Sequence, residues 1–159
     1  MITDRQWTQA RQITRRAVRS SLHCSIASVN ADGTAHVTPI GSLLLGSLGH
    51  GIYFDVFNAR LSANVDGRPE VTILAVDSGP MVWGRALLSG RFARPPGIRL
   101  IGTVGPRRPS SPEEIARFHR AVGPLLRTRG GAAAWASLTR VRDLHVNRIE
   151  KIRMGQLTP

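Results

Sequence analysis

Arg60 and Asn64 stand four residues apart in the polar stretch 58–69, between two runs rich in β-branched and aromatic residues, Ile52–Phe57 and Glu70–Val76. The runs read as strands. The connection is too long for a tight hairpin, and it holds Leu61 and Val65, also four apart. A single helical turn would send Leu61 and Val65 one way and Arg60 and Asn64 the other. The first strand is thus expected to deliver the chain into a short helix whose start carries Arg60. A cation beside the free backbone N–H groups of a helix start makes an anion site. A solvated arginine on a surface turn is the plain alternative.

Other chemistry-bearing residues do not gather into a motif. The chain has no GxSxG, HExxH, Walker loop or GxGxxG. His23, His36, His50, His119 and His145 are dispersed, and no metal ligand set is expected from them. The adjacent acids Glu113 and Glu114 suit a helix start better than acid–base work. An enzyme built this way needs a cofactor to carry its reaction.

Composition bounds the rest. A chain of 159 residues with 42% hydrophobic content is the size of one domain with a real core. The formal net charge of +12 would suit nucleic acid, an anionic surface or a phosphorylated ligand. Lys151 is the only lysine, however, so the excess is carried by arginines spread along the chain. That pattern reads as a compositional habit, and no specific nucleic acid is expected. Cys24 is the single cysteine, which excludes an intrachain disulfide and fits a reducing cytoplasm. The first dozen residues lack the apolar core of a signal peptide. Glycines, serines and Pro39 interrupt the uncharged span Val37–Phe54, so no membrane segment is expected there.

The elements follow from local signals. Thr3 and Gln6 form a capping box ahead of Trp7, Ala10, Ile13, Ala17 and Val18, predicting a helix over 4–20 with Arg5, Arg11, Arg15, Arg16 and Arg19 on its other faces. Residues 23–29 and 34–45 read as strands about an Asn30–Gly33 turn, with Pro39 marking an edge or bulge. Met81–Arg94 reads as a long strand and Arg94–Ser110 as a loop. Ser111-Pro112-Glu113-Glu114 starts a helix with Ile115, Phe118, Val122 and Leu125 on its core face, ending near Gly123-Pro124. A short helix over Ala132–Leu138 and a final strand over Val141–Ile152 close the chain. About six strands without regular βα alternation predict a small antiparallel barrel with helices attached. The whole is one domain over 1–159, with a helical insertion at about 112–138.

The run SIASVNADGTAHVTPIG, then GIYFDVFNARLSANVDGRPEVTILAV, then VWGRALLSG resembles the FMN-binding split-barrel family, the pyridoxamine-5′-phosphate-oxidase-like proteins. The likeness covers roughly residues 20–92, and VRDLHVNRIEKIRMG is similar to the closing strand of one branch. The resemblance implies a mainly β, α+β fold: a six-stranded antiparallel split β-barrel. It implies an oxidoreductase that binds FMN, works as a homodimer and acts on a small molecule. A deazaflavin coenzyme, haem held by a histidine, or no cofactor are the alternatives. A non-enzymatic basic module for nucleic acid is the alternative of another class.

The resemblance also implies positions. Arg60 falls on the arginine of the phosphate motif and Asn64 on its asparagine, with Asn58 and Ser62 alongside. His36, Thr38, Pro39 and Ile40 fall on the strand that runs along the flavin ring. Phe54, Asp55 and Phe57 fall beside the phosphate and ribityl chain, and Trp83 and Arg85 face the partner's cofactor. Leu61 stands where the motif has lysine, so Leu61→Lys is expected to strengthen phosphate binding. Asp55 stands where a small or hydroxyl residue is common, and its charge repels a phosphate unless a cation intervenes.

Overall fold

The computed structural model describes residues 1–134 and 137–158; the side chains of Leu125, Leu126 and Ala134 lie outside the description. Helix α1 covers Asp4–Ser21. Its capping box forms: the Thr3 hydroxyl accepts from the Gln6 amide at 3.3 Å, and Gln6 Oε1 accepts from the Thr3 amide at 2.9 Å. Two of the orphan donors of the helix start are thereby satisfied.

Strands β1 (Cys24–Val29) and β2 (Ala35–Ile40) form the expected hairpin. The expected second strand stops earlier than predicted, and its end becomes a separate two-residue strand, β3 (Leu44–Leu45). Strand β4 is His50–Phe54, α2 is Ala59–Gly67 and β5 is Glu70–Val76. The strand–helix–strand reading of this central stretch therefore holds.

The next stretch differs from expectation. Residues Pro80–Ser89 form a helix, α3, and not a strand. Pro80 opens it, and Gly90 closes it at φ 71°, a left-handed backbone that glycine adopts without strain. The long strand β6 instead occupies Gly97–Val104, inside the predicted loop. Gly102 lies at a bulge in the pairing of β6 with β8 (Arg140–Lys151), where a Cβ would collide with the His145 carbonyl. The glycine that lets this strand approach its neighbour is thus Gly102, not Gly84.

Short β7 (Arg108–Pro109) precedes α4 (Pro112–Val122), whose capping box between Ser111 and Glu114 also forms. Helix α5 covers Arg129–Ala134, starting before the predicted short helix; residues 135 and 136 of that prediction lie outside the described ones. The sheet is antiparallel and curls into a half-barrel in the order β2-β1-β5-β6-β8-β4-β3, with β7 against β8. The eight strands exceed the predicted six because β3 and β7 are two-residue additions.

Two cores hold the layers together. Trp7, Ile13 and Ala17 of α1 pack with Ile26, Ile73 and Leu100. Phe118 of α4 packs on Ile52, Phe54 and Val141, with the Phe54 and Phe118 rings 5.3 Å apart. Each large side chain buried this way contributes about 1.5–3 kcal/mol. Together they fix α1 and α4 against the sheet.

Candidate functional site

Edge strand β2 and the start of α2 meet through side chains. Thr38 Oγ1 donates to Asn58 Oδ1 at 3.2 Å, and Asn58 Nδ2 donates to the Pro39 carbonyl at 3.5 Å. Asn58 is the N-cap residue of α2, yet its side chain makes no capping hydrogen bond. The first N–H groups of α2 therefore lack an intrahelical or side-chain acceptor. Arg60 sits in that first turn, exposed, with no carboxylate at ion-pair distance among the described residues. Phe57, 67% exposed, precedes the joint.

Strand β2 ends the sheet, so one side of its backbone offers unpaired N–H and C=O groups. Val37 and Pro39 are exposed along it and His36 is half-buried, whereas Ile40 turns into the core. The joint thus combines a strand edge, a helix start and an exposed guanidinium whose carboxylate neighbour, Asp32, lies beyond ion-pair distance. Chemically it suits a planar group with hydrogen-bonding edges attached to an anion.

Several expected residues are engaged elsewhere. Asn64 does not face outward with Arg60: it is buried, and its Nδ2 donates to Ser28 Oγ and Asn30 Oδ1, both at 3.0 Å. Leu61 is fully buried in the main core, so it is a packing residue and not a vacated phosphate cation. Phe54 is a core partner of Phe118. Trp83 and Arg85 lie on α3, where the Trp83 indole donates to the Asp77 carbonyl at 2.7 Å. They lie on a helix and not on the fifth strand that the resemblance implies.

Asp55 shows which cation intervenes. Its carboxylate is 2% exposed and accepts from Arg142 Nε at 2.6 Å and from Ser62 Oγ at 2.8 Å. Arg142 Nη2 donates to the same Ser62 oxygen at 2.7 Å, and Nη1 donates to Asp66 Oδ1 at 2.8 Å. Arg107 Nη2 caps the Asp55 carbonyl at 2.9 Å. Hydrogen bonding to Arg142 holds the Asp66 carboxyl below its usual range. Ser62 is therefore spent inside this network. The Tyr53 hydroxyl is buried without a hydrogen-bond partner among the described residues, and burial raises its pKa.

Local reading missed Arg142 and Arg107. The only available hint was the demand of a carboxylate at a strand end for a cation. Its source depends on the β4–β8 register, in which Tyr53 faces Arg142. The same register brings His50 and His145 into an edge-to-face contact at 4.8 Å, so two of the dispersed histidines meet. No group of three or more His, Cys, Asp or Glu gathers among the described residues. Cys24 is buried, which pushes its thiol up to about 12 and leaves it inert.

No known protein family matches the chain, and no curated protein does. Solved structures do match. An FMN-binding protein from Syntrophomonas wolfei superposes with a TM-score of 0.64 at 12% identity, over 95% of this chain and 89% of that one. An F420 reductase gives a TM-score of 0.58 at 14% identity, over 89% and 95%. HutZ, the haem storage protein of Vibrio cholerae, gives 0.58 at 14%, over 95% of each chain. At such identities the likeness is one of fold. The chain has the split-barrel fold of FMN-binding and pyridoxamine-5′-phosphate-oxidase-like proteins. Of the described helices, none is long and apolar enough to cross a membrane.

Proposed function

We propose that this protein is a flavin-binding oxidoreductase that holds FMN along β2 and at the start of α2. The observation that carries the reading is the Thr38–Asn58 hydrogen bond. It ties the sheet edge to an uncapped helix start, where Arg60 has no carboxylate at ion-pair distance among the described residues and only a longer-range attraction to Asp32. Arg60 and the first N–H groups of α2 take the phosphate. The backbone of 36–40 orients the flavin ring, and Phe57 shields one side of the site from water. Asp55 does not oppose the phosphate, because Arg142 already neutralises it. Bound FMN supplies hydride or single-electron transfer to a small molecule; the chain supplies position and dryness.

The working unit in this reading is a cytoplasmic homodimer. Helix α3 exposes Met81 at 75%, Leu87 at 70% and Leu88 at 91%, an apolar face that a second copy would cover. A deazaflavin or haem would occupy the same fold with a different chromophore. The absorption spectrum of freshly purified protein tests the reading. Flavin bands near those of free FMN support it; a haem Soret band, or no chromophore and no uptake of added FMN, overturns it.

A further inference from the structure

We propose a second ligand site, for a single-chain amphipathic anion, in the cleft between α1, the 43–45 segment and α4. Arg11, Arg15 and Arg19 recur every four residues along α1, and Arg117 and Arg120 face them from α4 around a space of about 400 Å³. None of these five guanidiniums has a carboxylate at ion-pair distance among the described residues. Like charges gathered this way repel one another, and a bound anion removes the repulsion. Thr14 stands in the same wall, and its buried hydroxyl has no hydrogen-bond partner among the described residues.

The cleft continues into a second space of about 310 Å³, which shares Val18, Leu43 and Leu44 with the first. Arg19 and Arg120 stand at the junction and line both spaces, and beyond them the second is walled by Leu22, Phe118 and Val122. Volumes of this order suit small ligands. One end therefore selects an acidic head, a carboxylate or a phosphate, and the other an apolar tail. Nucleic acid fits less well, since no exposed aromatic platform lines the cleft for stacking. None of these residues belongs to the β2–α2 joint, so the site is independent of the proposed flavin.

Isothermal titration with dodecanoate below its micelle concentration tests the proposal, with acetate and dodecyltrimethylammonium as head-only and tail-only probes. The expected result is saturable uptake of one dodecanoate per chain, weakened by salt, with both controls at least about tenfold weaker. All five arginines are exposed, so removing two leaves the core untouched. Arg15→Ala with Arg120→Ala should weaken dodecanoate binding roughly tenfold or more. Arg15→Lys with Arg120→Lys should retain most of it, and this pair answers the question should the alanine pair fail to fold. Equal binding of the cationic amphiphile or of acetate overturns the proposal, as does an alanine pair that binds like wild type. Adsorption to phosphatidylglycerol vesicles without saturable dodecanoate uptake also overturns it, since the face would then be a membrane-docking surface.

Discussion

Arg142 Nε lies 2.6 Å from Asp55 Oδ2, and neither side chain is more than 2% exposed. The two residues are 87 positions apart in the chain. Their pairing joins the residue after β4 to the start of β8, and Ser62 of α2 bonds to both. The helix start that carries Arg60 is thus braced from beneath by a buried ion pair.

Removing one partner strands the other. Arg142→Met leaves the buried Asp55 carboxylate only the Ser62 hydroxyl at 2.8 Å and the longer Arg107 contact at 3.7 Å, which should cost up to about 3–5 kcal/mol of unfolding free energy. Combining it with Asp55→Leu should cost less than the two single changes summed. Urea unfolding of the three variants measures this, and strict additivity would show that the pair is not coupled.

Position 61 separates packing from ligand binding. Leu61 is fully buried, so Leu61→Lys places an ammonium in the core instead of beside a phosphate. The expected outcome is a loss of at least about 2 kcal/mol of stability and no gain in FMN affinity. Thermal unfolding with and without FMN reads both quantities.

Gly102 tolerates no side chain. A Cβ there meets the backbone carbonyl of His145, which cannot move aside like a flexible side chain. Gly102→Ala should therefore lower the thermal midpoint sharply, while Gly84→Ala, with open space around it, should leave it unchanged or slightly higher.

Acid sensitivity should track Arg108. Its guanidinium bonds Asp143 at 2.7 Å and Glu114 at 2.6 Å, and these hydrogen bonds hold both carboxyls below their ordinary pKa. Depressed carboxyls stabilise the fold above their unfolded pKa and lose that contribution as pH falls through the folded value. Stability should thus decline from about pH 4.5 downward, and Arg108→Met should flatten the decline. Thermal midpoints across pH 2–7 check it; unchanged slopes in the variant would contradict the assignment.

Much of the fold is readable locally. Thr3–Gln6 and Ser111–Glu114 announce their helices, and Glu70–Val76 is a strand by composition alone. The stretch after β5 misleads, because Val82 and Trp83 weigh toward a strand while Pro80 and Gly90 give the correct start and stop of α3. Strand β6 hides in a segment rich in Pro, Gly and Arg, since tertiary pairing with β5 and β8 overrides propensity. At the candidate site, Thr38, Asn58 and Arg60 are singled out by position, and the structure brings Thr38 and Asn58 together beside Arg60. Arg142 is not, because only long-range strand register brings it to Asp55.

The central claim is that the α2 start beside β2 holds a flavin phosphate. Fluorescence titration of FMN into wild type and Arg60→Ala tests it most directly. A charge-assisted contact of about 1.5–3 kcal/mol predicts saturable binding by wild type and a loss of roughly ten- to a hundredfold in the variant, with unchanged thermal stability. Equal affinities in the two proteins, or no saturable binding by wild type, would contradict it.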